Sequence, residues 1–382
     1  LLRRAADLIS RMNVLRSCVF AAALAISAGL VPSALAQADI TPDVRRSAQL
    51  STDQTALVQR FVKDNSGGLG SDNPQSVRRN RVALLEQLAD PQASPAFRVE
   101  FSKALVPLLR PMLSSGADMA IINALVLAGD LATGDSVALL RDALKSPKPA
   151  IRYQAAFGMR RTFEALAAMA TPTMRNDQSE EIVRELATRI SAEEDALVVD
   201  GLIYAGIEAA RVPTLRSFAL ARIAGAVATK VKALTGGAGS EQLSGALLRA
   251  SVGVRDALSS TQAGQTSPEA VKAAAELGGR LIAYCVRGVE SKSLPMAQKG
   301  EVDYVIRELY AQLATTAETI VLLAATLQGA TPPESRKIGE KLKASTTISD
   351  ASFGEDARLL VGRTGLLSKA PFSFDPGTFL DN

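Results

Sequence analysis

The sequence predicts an all-α protein, and its composition and patterning both support this fold class. Hydrophobic residues make up 47% of the 382 positions and are mostly alanine, leucine, valine and isoleucine, whereas aromatic residues make up only 4% and tryptophan is absent. Alanine and leucine favour helices, and the aromatic residues that favour strands are scarce. No run of alternating apolar and polar residues bounded by hairpin turns occurs in the middle of the chain, so strands are not required.

Proline directly after a capping residue marks several predicted helix starts. Such pairs occur at Ser94-Pro95, at Ser267-Pro268 and at Thr331-Pro332. Proline fits the first helical position because its missing N–H has no partner there and its φ angle is already helical. We therefore expect a helix to begin at each of these three pairs.

The amino terminus predicts a secretory signal peptide over residues 1–36. Met12 opens a basic segment, an apolar run over 18–31 follows, and Ala34-Leu35-Ala36 ends it, which is the order of such a signal. The run is 14 residues long, shorter than the roughly 17–25 that span a bilayer. We expect cleavage after Ala36, with residues 1–11 an overcalled upstream stretch; the alternative is a retained amphipathic arm. The expected location is periplasmic or secreted, in a bacterial cell envelope, without a stable membrane anchor.

Cleavage would change both the charge and the cysteine content. It removes four arginines and one aspartate, which leaves 39 basic and 38 acidic residues. This near-neutral charge argues against nucleic acid as a partner, because phosphate binding needs concentrated positive charge. Cleavage also removes Cys18, so Cys285 is left alone and no intramolecular disulfide can form. Cys285 lies in an apolar helical stretch, which predicts a buried and inert thiol.

Residues 37–77 are expected to form an N-terminal helix and a glycine-rich linker, and residues 78–212 to repeat a helix pair. In the best unit an apolar stripe of Leu139, Leu140, Ala143 and Leu144 precedes a proline-containing turn over 146–149. The second stripe of that unit consists of Ile151, Ala155 and Met159. Further copies place the two stripes at 84–88 with 97–105, at 108–113 with 120–128, and at 186–190 with 197–205.

The unit over 139–156 resembles a HEAT repeat. In that family a leucine-rich first helix, a short turn with proline, an aliphatic-arginine pair and a small-residue second helix recur. Ile151-Arg152 and Ala155-Ala156 occupy the places of the pair and of the small residues. The resemblance covers roughly a third of the chain and implies an α-solenoid of HEAT-like helix pairs, in which stacked pairs share one continuous core.

The other copies depart from the HEAT pattern. Phe97-Arg98 repeats the aliphatic-arginine position with an aromatic residue, whereas Ile121 and Val198 stand where the arginine would be. The aspartate usual in the turn is absent between Leu144 and Ile151. Unequal spacing between copies further indicates insertions rather than a strict array.

Beyond the repeats, residues 213–330 predict four long amphipathic helices, over 215–234, 243–258, 270–289 and 302–327. They are expected to form either an antiparallel long-helix bundle or a degenerate continuation of the solenoid. Residues 331–382 predict a C-terminal helix and a tail with Phe353, Phe372, Phe374 and Phe379. We expect this tail to cap the last helix pair; the alternative is an exposed partner-binding peptide.

The sequence offers few candidates for chemistry. It has no histidine, which excludes histidine-based catalysis and imidazole metal ligands, and no nucleotide-binding or nucleophile motif occurs. The acidic clusters Glu180-Glu181 and Glu193-Glu194-Asp195 lie at predicted helix starts, where acidic residues interact favourably with the helix dipole. We therefore predict no catalytic residue, no cofactor and no metal site.

Four residues of one predicted helix, Arg152, Tyr153, Arg160 and Arg161, are candidates for partner binding. Arginines on the second helices of a solenoid could hold an acidic or phosphorylated partner. The alternative is a solvated face with one arginine linking adjacent units. The predicted function is an exported, non-catalytic protein-protein interaction scaffold, with a carboxylate-dependent hydrolase and a self-associating envelope protein as alternatives.

Overall fold

The computed structural model of the chain describes residues 39–115, 117–234, 240–260 and 265–380. No β-strand occurs among these residues, which confirms the all-α prediction. The predicted signal peptide over 1–36 lies outside the described residues.

The described residues contain fifteen α-helices. The first eight are α1 Pro42–Arg46, α2 Thr52–Ser66, α3 Pro74–Leu88, α4 Pro95–Leu113, α5 Asp118–Leu131, α6 Gly134–Ala143, α7 Pro149–Ala168 and α8 Asn176–Ala192. The others are α9 Ala196–Ala209, α10 Arg216–Ala233, α11 Ser244–Ser259, α12 Pro268–Glu290, α13 Val302–Leu327, α14 Ile338–Ala344 and α15 Thr347–Val361. Short 3₁₀ helices lie at Ser240–Leu243 and Leu366–Ser368.

The helices stack in two layers, as expected of a solenoid. The two largest interfaces join α10 to α12 and α7 to α9, and most other large interfaces also join helices two apart in the chain. The even layer therefore consists of α2, α4, α6, α8, α10 and α12, and the odd layer of α3, α5, α7, α9, α11 and α13. With the exception of α6 and α8, successive helices of a layer pack on each other, so the core continues from pair to pair.

The long helices after residue 213 continue this alternation. Helix α10 packs between α8 and α12, and α11 packs between α9 and α13. Of the two expected arrangements, the structure therefore shows the degenerate solenoid rather than a separate bundle. Helices α14 and α15 follow the last pair and contact α13 and α12, respectively.

Small residues bring neighbouring helices of the odd layer into close contact. A Cβ atom built on Gly129 of α5 would lie 2.8 Å from both the Cα and the carbonyl oxygen of Gly158 on α7. The Thr162 hydroxyl donates to the Gly129 carbonyl at 3.1 Å across the same interface. Ala155 and Ala156 of α7 are fully buried. The small-residue second helix of the best predicted unit thus permits backbone contact between successive pairs.

Two of the three predicted proline-containing helix starts are confirmed. Ser94 and Ser267 accept hydrogen bonds from the third residues of α4 and α12, and proline follows each serine. The start at Thr331-Pro332 is wrong, because α14 begins only at Ile338. The buried Glu318 of α13 accepts the backbone N–H of Ile338 at 3.1 Å, so a side chain from another helix sets this boundary.

The first two predicted copies of the repeat overlap. Their stripes at 97–105 and 108–113 both lie on the single helix α4. They cannot be the second helix of one pair and the first helix of the next. The predicted copies also differ in burial at equivalent positions, because Leu108 is 41% exposed whereas Leu139 is buried.

The phenylalanine tail packs on α12. Phe353, Phe372 and Phe379 are buried, and a Cβ atom on Gly279 of α12 would lie 2.6 Å from the Phe379 ring. The Arg280 guanidinium lies over the same ring at 5.3 Å. These rings therefore cover the end of the even layer and are not displayed as an exposed peptide.

Within the described residues, one stretch is long and apolar enough to cross a membrane, Asp303–Leu327 of α13. However, 61% of its most apolar window is buried in the protein, and packing against α11, α12 and α14 accounts for this composition. Cys285 on α12 is fully buried as predicted, and desolvation raises the pKa of its thiol. The thiolate that nucleophilic attack needs is therefore disfavoured.

Candidate functional site

All four residues predicted to bind a partner lie on α7, between α5 and α9 of the odd layer. Pro149 stands at the start of α7, and the small residues on its inner side let both neighbouring helices pack closely. The four side chains do not share one surface. The structure brings Tyr153 and Arg160 to one surface and engages Arg152 and Arg161 elsewhere.

Arg152 links two turns of the solenoid. Its Nε and Nη2 atoms each donate to the Glu193 carboxylate at 2.8 Å. Its Nη1 atom donates to the backbone carbonyls of Ser146 at 3.0 Å and Pro147 at 3.2 Å. Four of the five guanidinium donors are thus in use, in a bidentate pair that holds the α6–α7 turn against the α8–α9 turn. Arg152 fits the alternative of an arginine that links adjacent units.

The acidic cluster at 193–195 also maintains the fold. Desolvation alone would raise the pKa of Glu193. This effect is outweighed by the hydrogen bond and charge of Arg152 and by hydrogen bonds from the backbone N–H groups of Asp195 and Glu194, so the pKa is lowered. The Asp195 carboxylate caps α9 by accepting the backbone N–H of Leu197 at 3.0 Å and of Val198 at 3.1 Å. A proton donor for hydrolysis needs a raised pKa, so Glu193 is a poor candidate for that role.

The lowered pKa of Glu193 predicts a pH-dependent stability. In the folded protein the pKa of Glu193 lies below its ordinary value of 4.5. The ionised carboxylate therefore contributes its full stabilisation above about pH 4.5, and this stabilisation is lost as the pH falls through the folded-state pKa. At pH 7 we expect the wild type to have a larger free energy of unfolding than a Glu193→Gln variant. This gap between the two free energies should shrink below about pH 4.5. Urea unfolding from pH 7 to about pH 3.5 measures this. A gap that stays constant over this range would contradict the assignment.

Arg161 is directed toward α5. It forms an ion pair with Asp130 of that helix and a second one, at 3.0 Å, with Glu164 on its own helix. Its guanidinium is therefore shared between two carboxylates. This arginine joins α5 to α7 rather than standing free at the surface.

Arg160 takes part in a stack with residues from two other helices. Its guanidinium lies 4.0 Å from the centre of the Tyr204 ring on α9 and 5.2 Å from the Phe157 ring on α7. Arg249 of α11 lies 4.7 Å from the Tyr204 ring. Each arginine also has a carboxylate partner, Glu164 for Arg160 and Asp200 for Arg249, the latter at 2.6 Å. Two cation–π contacts and two ion pairs hold Tyr204 in place.

We define the aromatic face as Tyr153, Phe157, Arg160, Leu197, Tyr204 and Arg249. It spans three consecutive odd helices, since a Cβ atom on Gly201 of α9 would contact the Tyr153 ring of α7 at 3.3 Å. Tyr153 is 40% and Leu197 70% exposed. Its two arginines are balanced by Glu164 and Asp200, so the aromatic face carries no excess charge. A neutral surface of ordered aromatic, aliphatic and arginine side chains is suited to protein binding.

The four predicted site residues include Tyr153 and Arg160 of the aromatic face but not Phe157, Leu197, Tyr204 or Arg249. Leu197 was assigned to the interior second stripe, and this assignment is wrong because the side chain is exposed at the second position of α9. The seven-residue spacing from Leu197 to Tyr204 is a signal that could have placed both on one side of α9.

No protein-family model matches this chain, and no curated protein matches it. A crystal structure of an engineered protein is similar over 68% of this chain and 97% of its own length, with 17% sequence identity and a TM-score of 0.35. A similarity of this size supports no conclusion about function.

Proposed function

We propose that this protein is a non-catalytic scaffold that binds a protein partner through the aromatic face. The observation that carries the proposal is the exposure of Leu197 and Tyr153 on α9 and α7, the two helices whose Tyr204 and Arg160 side chains are held together by stacking. Ordering before binding lowers the entropic cost of association. Tyrosine and arginine are also the residue types enriched at the energetic centres of interfaces.

The opposite side of the solenoid supports the choice of this surface. On α8 of the even layer, every exposed position before the last residue, Ala192, carries a polar residue: Asn176, Asp177, Gln178, Glu181, Arg184 and Thr188. Arg184 and Glu181 are engaged with neighbouring charged residues. A polar, charge-paired surface of this kind gains little from desolvation. Leu197 of α9 has no large exposed apolar counterpart on α8, so at this pair the odd layer offers the better site for an apolar contact.

The balanced charge changes the expected partner chemistry. Arg152, Arg160 and Arg161 each pair with a carboxylate of this chain. The proposal therefore needs no acidic or phosphorylated partner at the aromatic face. An exported location in the cell envelope stays part of the proposal and is supported by the amino-terminal sequence.

Leu197→Asp tests the scaffold function, with Leu108→Asp as its matched control. Both leucines are exposed, but Leu108 lies on α4 of the even layer. We expect Leu197→Asp to weaken partner capture by about tenfold or more, which corresponds to at least about 1.4 kcal/mol, because it places a carboxylate in the proposed apolar contact. Leu108→Asp should leave capture unchanged. Quantitative pull-down from envelope extract, with both variants at wild-type melting temperature, measures the difference.

Site-specific photo-cross-linking identifies what binds. A photoreactive phenylalanine at position 197 should give a defined product that the same group at position 108 does not give. A product of twice the mass of the chain would support self-association and overturn the scaffold proposal. Equal products at the two positions would also overturn it, because capture would then not depend on the aromatic face.

A further inference from the structure

A cavity of about 390 Å³ lies between the loop that precedes α3, the first half of α3 and the start of α5. Its apolar wall includes Leu69, Val77 and Met119. Leu69 is buried and anchors the loop, whereas Met119 is 67% exposed. The cavity shares no residue with the aromatic face, which begins on α7. A concave site of this size with an apolar wall suits a small molecule.

The charged side chains that line this cavity are Arg78, Arg81 and Asp72. The two arginines are three residues apart on α3 and therefore lie on one side of that helix. Within the described part of the chain, neither guanidinium forms an ion pair, and Arg78 makes no hydrogen bond. Asp72 likewise has no arginine or lysine partner among those residues. The cavity therefore presents two arginines against one carboxylate, an excess of one positive charge.

Asn123 of α5 adds a buried donor to this cavity. The Nη1 atom of Arg81 donates to the Asn123 Oδ1 atom at 2.5 Å, which leaves four of the five guanidinium donors of Arg81 for a ligand. Because a guanidinium only donates, the amide oxygen of Asn123 must face Arg81. The Asn123 side chain lines the cavity and is 3% exposed, and its Nδ2 group donates to no described residue. A buried amide without an acceptor is unfavourable, so this group is satisfied from the cavity.

We propose that this cavity binds a small organic carboxylate. Arg78, Arg81 and Asn123 hold its carboxylate group, and its apolar body packs on Val77 and Met119. The single excess positive charge matches the charge of one carboxylate, and arginine binds the two carboxylate oxygens with parallel hydrogen bonds. The apolar wall selects a ligand with a carbon body over a free inorganic ion. This site is independent of the scaffold function, because it needs no protein partner.

Titration calorimetry of the purified full chain tests the proposal with three probes. Phenylacetate carries both the carboxylate and an apolar ring, acetate carries the carboxylate alone, and phenylacetamide is the neutral equivalent of phenylacetate. We expect saturable binding of phenylacetate with a Kd below about 1 mM at low salt, and binding of the other two that is weaker by about tenfold or more. Absence of saturable phenylacetate binding would overturn the proposal. Equal binding of phenylacetate and phenylacetamide would also overturn it, because the arginines would then not select the ligand.

Two neighbouring arginines of α3 show whether phenylacetate occupies this cavity. Arg78→Gln should weaken its binding by about tenfold. Arg79→Gln is the matched control, because Arg79 is also exposed and its loss changes the net charge equally, but its side chain does not line the cavity. The control should stay within about twofold of wild type. Equal weakening in both variants would overturn the assignment, since only the charge of α3 would then matter.

Variants that retain both arginines provide a second test. Met119→Glu adds a carboxylate to the cavity wall and should abolish phenylacetate binding, whereas the neutral Met119→Gln should keep it within about threefold. Asp72→Asn removes the carboxylate that faces the arginines and should strengthen binding by about threefold. Met119 and Asp72 are both exposed, so this test stands even if Arg78→Gln fails to fold. Binding that is equal in Met119→Glu and Met119→Gln would place the ligand elsewhere and overturn the proposal.

Discussion

Replacing Arg307 with leucine is expected to lower the free energy of unfolding by about 3–5 kcal/mol. Arg307 lies on α13 and is fully buried. Its guanidinium donates to the carbonyls of Leu342 at 2.7 Å and Pro295 at 3.1 Å and forms an ion pair with Asp350. It thereby joins α13 to the segment before it, to α14 and to α15. The substitution leaves a largely buried carboxylate and two carbonyls without this donor, and urea unfolding at pH 7 measures the loss.

A double variant separates the unpaired charge from the lost packing. We expect Arg307→Leu with Asp350→Leu to recover part of the loss, because no buried carboxylate is then left without its arginine. Arg175→Leu provides the control, since Arg175 forms its ion pair with Asp177 at the exposed start of α8 and should not affect unfolding. A loss below about 1 kcal/mol in Arg307→Leu would show that the buried ion pair does not hold the carboxyl-terminal helices.

The long helices were the most predictable part of the fold. The predicted helix over 302–327 matches α13 in both bounds, and those over 215–234 and 243–258 match α10 and α11 within a residue at each end. Continuous apolar periodicity and flanking polar loops are local signals, so a single sequence carries them. The start of α14 was missed because its cap, Glu318, belongs to a different helix, and no local pattern encodes that contact.

The candidate site was less predictable for the same reason. Tyr153 and Arg160 are seven residues apart on α7 and share a side of that helix, which periodicity alone could have shown. Arg152 and Arg161 look equivalent to Arg160 in the sequence, yet Arg152 pairs with Glu193 of the α8–α9 turn and Arg161 pairs with Asp130 of α5. Tyr204 lies between arginines of α7 and α11. The aromatic face therefore depends on how the pairs stack, which is determined by core packing rather than by any one helix.

A second large effect is expected where α5 meets α7. Gly129→Ala would place a Cβ atom 2.8 Å from the Cα and the carbonyl oxygen of Gly158, closer than non-bonded atoms can approach. Backbone atoms cannot rotate away as a side chain does, so the two helices must separate and lose contacts on both sides. We expect the free energy of unfolding to fall by about 2–3 kcal/mol, although alanine in a helix is intrinsically favoured over glycine by about 1 kcal/mol. Thermal and urea unfolding measure the change.

Gly225→Ala isolates the steric effect from the helix propensity. Gly225 lies on α10, and nothing lies within 4 Å of a Cβ atom built on it. The same substitution there should raise the free energy of unfolding by up to about 1 kcal/mol, because only propensity acts. If Gly129→Ala lowers the free energy of unfolding and Gly225→Ala raises it, small residues are required at the contact between successive helix pairs and not along the helices in general. If Gly129→Ala proved as stabilising as Gly225→Ala, the two backbones would not be in contact, and the close stacking of the odd layer would be wrong.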